Sequence, residues 1–203
     1  MADILIDNQT QPTTPASSKS VIWVDSTNKR NLVTDDSGVH RGIIYKANST
    51  SAQGAIATSE VYLTGSSIQI PSFGMQVGMQ FVWQISASKT AAGTAAPIWT
   101  FRIGAAKTTA DTSRLALTSG QAQTATASDG ILTAMVYVPI ASATGTIAGS
   151  GGSGPPGMGG GGTGTSSTFD NTATIAGQFI GLTITTGASA AWTINAVSCY
   201  LIN

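Results

Sequence analysis

Residues 97–140 have the sequence PIWTFRIGAAKTTADTSRLALTSGQAQTATASDGILTAMVYVPI, in which short apolar runs alternate with segments rich in Thr, Ser, Ala, Gly and Asp. Apolar runs of strand length that are separated by turn residues predict four consecutive antiparallel strands in the middle of an all-β domain. The pair Asp129-Gly130 lies between two such runs and favours a type I′ hairpin turn. The stretch contains no recognisable catalytic motif.

The composition of the 203-residue chain indicates a surface with few charges. Nine basic and nine acidic residues leave no net charge, so we expect no nucleic-acid partner and no attraction to an anionic membrane. Charged residues make up 9% of the chain, whereas typical soluble domains have about 25%. Such a surface suits a protein that packs against copies of itself or against a larger particle, because charges would have to be desolvated there.

The cysteine content and the length of the apolar runs indicate the cellular compartment in which the chain is made. Cys199 is the single cysteine, which excludes an intrachain disulfide and predicts a buried thiol. The N-terminal residues lack a basic region, and no apolar run reaches eighteen residues. We therefore expect no signal peptide, no membrane insertion, and synthesis in a cytoplasm.

The N-terminal quarter of the chain differs from the rest in its charge. Residues 1–18 join the apolar Ile4, Leu5 and Ile6 to a Gln/Thr/Pro/Ser run, which predicts either a disordered tail or an extended anchoring arm. Residues 19–51 contain a charged segment with predicted strands at 21–24, 32–34 and 43–45, a small β-meander that we assign to attachment. Trp23, on its first strand, is assigned to attachment together with the arm. Residues 47–59, which are small and polar, predict a linker into the next domain.

Residues 52–203 are predicted to form one larger domain. About eight strands follow Val61, with no helical period, and eight antiparallel strands indicate a jelly-roll sandwich. Apolar residues alternate with polar ones over 79–86 and 99–103, which places Phe81, Trp83 and Phe101 in the core. Residues 145–168 are so rich in glycine that they predict an irregular loop.

Two predicted strands carry apolar residues on both faces. In the strand at 131–140, one face has Ile131, Met135 and Tyr137, and the other has Leu132, Val136, Val138 and Ile140. The strand at 191–202 repeats the pattern, with Trp192 and Ile194 opposite Val197 and Leu201. A second apolar face needs a cover, which is either another subunit or a loop of the same chain. The residues predicted to form an oligomer interface are Val136, Val138, Ile140, Val197 and Leu201.

Few residues are suited to catalysis or metal binding. His40 is the single histidine and lies near no nucleophile motif, and with one cysteine it excludes a structural zinc site of four Cys or His ligands. Carboxylates are sparse after residue 52, and the glycine-rich segment lacks the Lys-Ser/Thr of a phosphate-binding loop. We therefore predict no enzyme, no catalytic or metal-binding residue, and no cofactor.

Two segments resemble structural proteins of bacteriophages. The segment SVIWVDSTNKRNLVTDDSGVHRGI at 20–43 resembles a module near the N-termini of phage tail-fibre and neck-attached proteins. The segment TFRIGAAKTTADTSRLALTSGQAQTATASDGILTAMVYV at 100–138 is similar to phage exterior proteins with a trimeric jelly-roll or tumour-necrosis-factor-like knob. The resemblance implies a non-enzymatic virion surface protein, bound to other virion proteins by its N-terminal region and carrying a homotrimeric knob.

Two locations on a virion fit this resemblance. We favour a capsid decoration or head fibre over a tail fibre, because the chain is short and has no fibrous shaft. A different class of function is a glycan-binding module that recognises the host surface through the segments 145–168 and 104–113. An enzyme that hydrolyses such a glycan is the third class, which the scarcity of carboxylates disfavours.

Overall fold

The computed structural model describes residues 8–9, 16–17, 21–25, 31–34, 40–42, 45–119, 123–153, 161–187 and 189–202. Their regular structure is β throughout except for one 3₁₀ turn at Ala173–Ile175. No helical segment among these residues is long and apolar enough to cross a membrane. The chain is all-β, as its apolar alternation predicts.

A small sheet precedes the larger domain. Its strands are β1 (Asn8–Gln9), β2 (Val21–Asp25), β3 (Asn31–Thr34) and β4 (His40–Gly42), paired in that order. The β2, β3 and β4 strands form the predicted antiparallel meander, although its third strand ends before the predicted 43–45. Trp23 is buried, and its Nε1 donates a hydrogen bond to the Thr34 hydroxyl at 2.9 Å. Trp23 therefore holds β2 against β3 and offers little surface to a partner, which argues against its assignment to attachment; the other assigned residues, Ile4, Leu5 and Ile6, lie outside the described residues.

The remaining strands form a two-sheet sandwich. They are β5 (Tyr45–Ser49), β6 (Gln53–Ile56), β7 (Val61–Tyr62), β8 (Ile68–Gln69), β9 (Gln80–Lys89), β10 (Ile98–Gly104), β11 (Thr112–Thr118), β12 (Ser128–Ile140), β13 (Thr146–Ser153), β14 (Gly162–Thr165), β15 (Phe179–Thr185) and β16 (Trp192–Ile202). The larger sheet has the order β14-β13-β12-β9-β16-β5, with β6 also on β16; the smaller has β11-β10-β15-β7, with β8 on β15.

The chain passes repeatedly between the two sheets, for example from β9 to β10 and from β11 to β12. Crossing connections of this kind in an antiparallel sandwich give the predicted jelly-roll fold. Apolar residues of both sheets fill the core, and the Trp83 and Phe101 rings meet across it at 5.3 Å. The Trp83 Nε1 donates to the Ser66 carbonyl at 2.7 Å, so this buried indole keeps a hydrogen bond.

The described residues of 97–140, which leave out 120–122, contain three strands where four are predicted, and 123–127 form a loop. Asp129 and Gly130 lie inside β12, opposite Ser88 and Ala87 of β9. Since β11 and β12 belong to different sheets, the chain between them crosses the sandwich and forms no hairpin. Pairing with β9 thus overrides the turn preference of Asp-Gly, and the predicted type I′ turn is wrong.

The predicted linker at 47–59 is also wrong, because most of it is strand. Both β5 and β6 pair with β16 at the edge of the larger sheet. The sandwich therefore begins at Tyr45 rather than at residue 52. An edge strand needs main-chain hydrogen bonds on one side only, so a small, polar segment with one buried residue, Ile56, is sufficient there.

The glycine-rich segment is not an irregular loop in its described parts. The β13 strand pairs with both β12 and β14. A Cβ atom at Gly162 would lie 2.1 Å from the Thr118 carbonyl oxygen, and one at Gly149 would lie 2.5 Å from the Met135 carbonyl oxygen. Glycine is required here for close packing of the hairpin against β11 and β12, which a pattern-based loop prediction does not consider.

A β-bulge explains the two apolar faces predicted for β16. The register against β9 shifts between Ile194 and Ala196, so one extra residue is inserted and the alternation of side chains reverses. Trp192, Ile194, Val197 and Leu201 consequently all face the core, together with Cys199. The bulge, rather than a covering subunit, accounts for the apolar pattern in this strand. Cys199 is buried as predicted.

Candidate functional surfaces

The outer side of the larger sheet carries an apolar surface. Its residues come from neighbouring strands and are Val82, Ile131, Met135, Tyr137, Tyr200 and Ile202, which we call the outer apolar face. Val82 pairs with both Met135 and Tyr200, so these three side chains form one cross-strand row. Ile131 is 64% exposed, Ile202 46% and Tyr137 44%. Exposed apolar side chains grouped on one surface mark an interaction site.

The charge of this face is also unusual. The outward positions of β9 from Gln80 to Ser86 and of β12 from Ile131 to Tyr137 carry no charged side chain. A groove of about 380 Å³ runs beside them, lined by Met135, Tyr137 and the hairpin of β13 and β14. A neutral face can meet a copy of itself without burying an unpaired charge.

The residues predicted to form the interface are placed differently by the structure. Val136, Val138, Val197 and Leu201 are at most 1% exposed and face the core of their own sandwich. They offer no surface to a second chain, which corrects their assignment; the predicted Ile140 is 52% exposed. In β12 the even-numbered residues from Leu132 to Val138 face the core, so the odd-numbered residues of this stretch face outward. The exposed apolar residues Ile131 and Tyr137 are odd-numbered.

The outer side of the smaller sheet is polar. The Arg102 guanidinium donates to both oxygens of Glu60, at 2.8 and 2.6 Å, and to the Asp111 carbonyl. Thr183 donates its hydroxyl hydrogen to Glu60 as well. The hydrogen bond from Arg102 lowers the pKa of the Glu60 carboxyl below its ordinary value, and the same bond raises the pKa of Arg102. This ion pair fixes β10 against the segment that leads into β7.

A polar cleft of about 580 Å³ opens at one end of the sandwich. We call it the end cleft; it lies between the 104–112 turn and residues 169–178. Arg114 projects into it from a β-bulge, since Phe101 pairs with Leu115 and Arg102 with Ser113, leaving Arg114 unpaired in β11. Its guanidinium carbon lies 4.4 Å from the centre of the Phe169 ring, a cation–π contact.

Two carboxylates near the end cleft already have partners. Asp111 accepts hydrogen bonds from the main-chain N–H groups of Ala106 and Lys107, at 3.0 and 2.8 Å, and closes the turn before β11. Asp170 accepts from the main-chain N–H of Thr172 at 3.0 Å and from its hydroxyl. The hydroxyl bond of Thr172 lowers the pKa of the Asp170 carboxyl. Both acids stabilise their loops.

Only part of the predicted glycan-binding segment 145–168 lies near the other predicted segment, 104–113. The 104–112 turn borders the end cleft, and Gly145 bridges to Phe169 at the same end. The far end of β13, Ser153, pairs with Thr133, well along β12 from the Ile140–Thr146 pair, so the hairpin points to the other end of the sandwich. The sequence analysis did not identify Arg114. Its only signal in the sequence is a positively charged residue directly before the alternating apolar residues Leu115 and Leu117.

Within the described residues, no group of three or more His, Cys, Asp or Glu side chains could hold a metal ion. A comparison with protein-family models and a search of curated proteins each found no match.

Proposed function

We propose that this chain is a non-enzymatic structural protein of a bacteriophage virion, carried on the particle surface as a homotrimeric jelly-roll knob. The virion assignment is supported by the resemblance of residues 20–43 and 100–138 to phage exterior proteins. The N-terminal region attaches to other virion proteins in this proposal. A position on the head, as decoration or head fibre, is the version of the proposal that we favour, and a tail fibre is the alternative.

The outer apolar face is the observation that supports self-association. Three large apolar side chains are more than 40% exposed there, Ile131 and Tyr137 on β12 and Ile202 on β16, with β9 between the two strands. Covering them with a second copy removes apolar surface from water, at about 25 cal/mol per Å². The proposed contact uses this face and not the residues buried in the core. The number of three follows the resemblance.

Tyr137→Asp tests the proposed trimer. The variant places a carboxylate in the middle of the contact, so the mass in light scattering should fall from three chains to one. Ala116→Asp is the matched control, because Ala116 is exposed on the smaller sheet and its replacement should leave the mass unchanged. A wild-type mass of one chain, or an unchanged mass in Tyr137→Asp, would exclude this interface.

The location on the particle is tested by immunogold labelling of purified virions. Label over the whole capsid would support decoration, and label at the tail tip would support a tail fibre. The absence of label on particles would reject the virion assignment.

A glycan-binding module is the second candidate function, and the end cleft favours it. The cleft combines a cation with hydroxyl and amide side chains, as saccharide sites do. The two functions are compatible, since the end cleft and the outer apolar face are separate surfaces.

A further inference from the structure

The state of the Arg114 guanidinium suggests that the end cleft takes a ligand. Its Nε is buried without a hydrogen-bond acceptor, and the contact with Phe169 is its one recorded interaction within the described residues. By contrast, Arg102 has two carboxylate oxygens and a carbonyl as acceptors. No acceptor for the Arg114 guanidinium occurs among the described residues, so an acceptor that enters the cleft can pair with its terminal Nη groups.

The bulge in β11 gives a structural reason for this side chain. The side chains of a regular strand alternate between core and solvent. The extra residue of a bulge is unpaired, and the bulge can point its side chain in a different direction. Arg114 is that residue, and it reaches the cleft and not the open surface of the smaller sheet. Bulges are enriched beside functional sites for this reason.

The charges around the cleft limit the ligand to one negative group. Asp111 and Asp170 line the same cleft, and Arg114 is the one cation among its described lining residues, so a group with two negative charges, such as a phosphate ester, is disfavoured more than a group with one. A single carboxylate matches the two-pronged geometry of a guanidinium and balances its one charge. The ligand therefore carries one carboxylate at the Arg114 position.

The walls of the cleft favour a sugar over an apolar molecule. Thr112, Thr174 and Gln178 supply neutral hydroxyl and amide groups at its rim. Of the apolar residues that line it, Ile103, Phe169 and Ile175 are at most 8% exposed, and the exposed ones, Ala105 and Ala110, have small side chains. Neutral hydrogen-bonding groups suit the hydroxyls of a sugar ring. The volume lies within the range of about 300–1,000 Å³ of small-molecule sites.

We propose that the end cleft binds a carboxylate-bearing sugar unit of an acidic polysaccharide. The carboxylate pairs with the Arg114 guanidinium, and ring hydroxyls bond to Thr112, Thr174 and Gln178. This inference rests on the second candidate function and does not depend on the trimer or on the virion assignment.

Nuclear magnetic resonance of the full chain tests the site, with D-glucuronate and N-acetylneuraminate as probes and D-glucose as the neutral comparison. Either acidic sugar should receive saturation from the protein and shift the amide signals of Thr112, Thr174 and Gln178, while D-glucose should not. Arg114→Gln should weaken the affinity by about tenfold or more, the usual loss for a charge-assisted pair. Arg114→Lys should fall between, because an ammonium keeps the charge without the fork. Asp129→Asn, at the other end of the sandwich, should leave binding unchanged.

The other outcomes distinguish failure of the end cleft as the binding site from failure of the glycan-binding function. Binding of an acidic sugar with shifts elsewhere, or with full affinity in Arg114→Gln, would reject the end cleft and keep glycan binding. Equal binding of D-glucose and D-glucuronate would reject the role of the carboxylate. No transfer to any of the three sugars would overturn both this inference and the glycan-binding candidate. Should Arg114→Gln fail to fold, the shift map of the wild-type chain decides.

Discussion

Val136→Ala should lower the free energy of unfolding by about 2.5 kcal/mol without changing the mass of the assembly. The side chain is 0% exposed and faces the core from β12. Losing the burial of two methyl groups costs about 1.6 kcal/mol, at roughly 0.8 for each. A residual cavity of roughly 40 Å³ adds about 1 kcal/mol. A change of this size lowers the melting temperature by about 5–10 °C in a domain of this length.

Association would complicate this measurement, so it is best made in chains that carry Tyr137→Asp. Equilibrium unfolding in urea, followed by tryptophan fluorescence at one protein concentration, gives the free energy. The matched control is Ile131→Ala on the same strand, which should cost less than about 0.5 kcal/mol since its side chain is 64% exposed. The mass of Val136→Ala alone is measured by light scattering. A cost as small as that of the control, or a loss of mass, would refute the placement of Val136 in the core.

The Glu60–Arg102 pair and the glycine hairpin give two further predictions. Because the pKa of Glu60 is lowered, its contribution is present above the ordinary glutamate pKa, about 4.3, and is lost as the pH falls through the lowered value. The stability difference between wild type and Glu60→Gln should therefore be constant near neutrality and shrink in acid; urea unfolding across pH measures it, and a flat difference would contradict the pairing. Gly162→Ala should destabilise the sandwich, because its Cβ would meet the backbone oxygen of Thr118. Gly54→Ala is the control, because a Cβ at Gly54 would approach no atom closer than 3.6 Å and its φ lies outside the left-handed region; equal losses would argue against the packing explanation.

The fold class and much of the core follow from the sequence alone. Alternation over 79–86 and 99–103 places Phe81, Trp83 and Phe101 correctly, since side chains of a regular strand must alternate. Pairing partners could not be obtained in this way. Asp129 and Gly130 favour a turn locally, yet hydrogen bonding to β9 decides their structure, and β9 lies about forty residues earlier in the sequence.

The residues that form the candidate surfaces could not be predicted in the same way, because they depend on β-bulges, which interrupt the regular alternation of side chains. The bulge in β16 turns Val197 and Leu201 inward and removes the reason for assigning them to an interface. The bulge in β11 turns Arg114 into the end cleft. A bulge is fixed by contacts with neighbouring strands, so its effect on each side chain becomes visible only with the sheet assembled.

The position of β16 has a consequence for how the chain folds during synthesis. This strand joins β9 to β5 and β6, so it completes the larger sheet from the inside rather than at an edge. A nascent chain that has reached residue 190 holds β5 and β6 with no strand to pair with, and its core-facing residues of β9 lack a neighbour on one side. Such late, long-range pairing is slow and leaves apolar surface exposed in the meantime. The larger sheet can therefore close only after β16 has left the ribosome. Aggregation should be greatest when many unfinished chains are present at once.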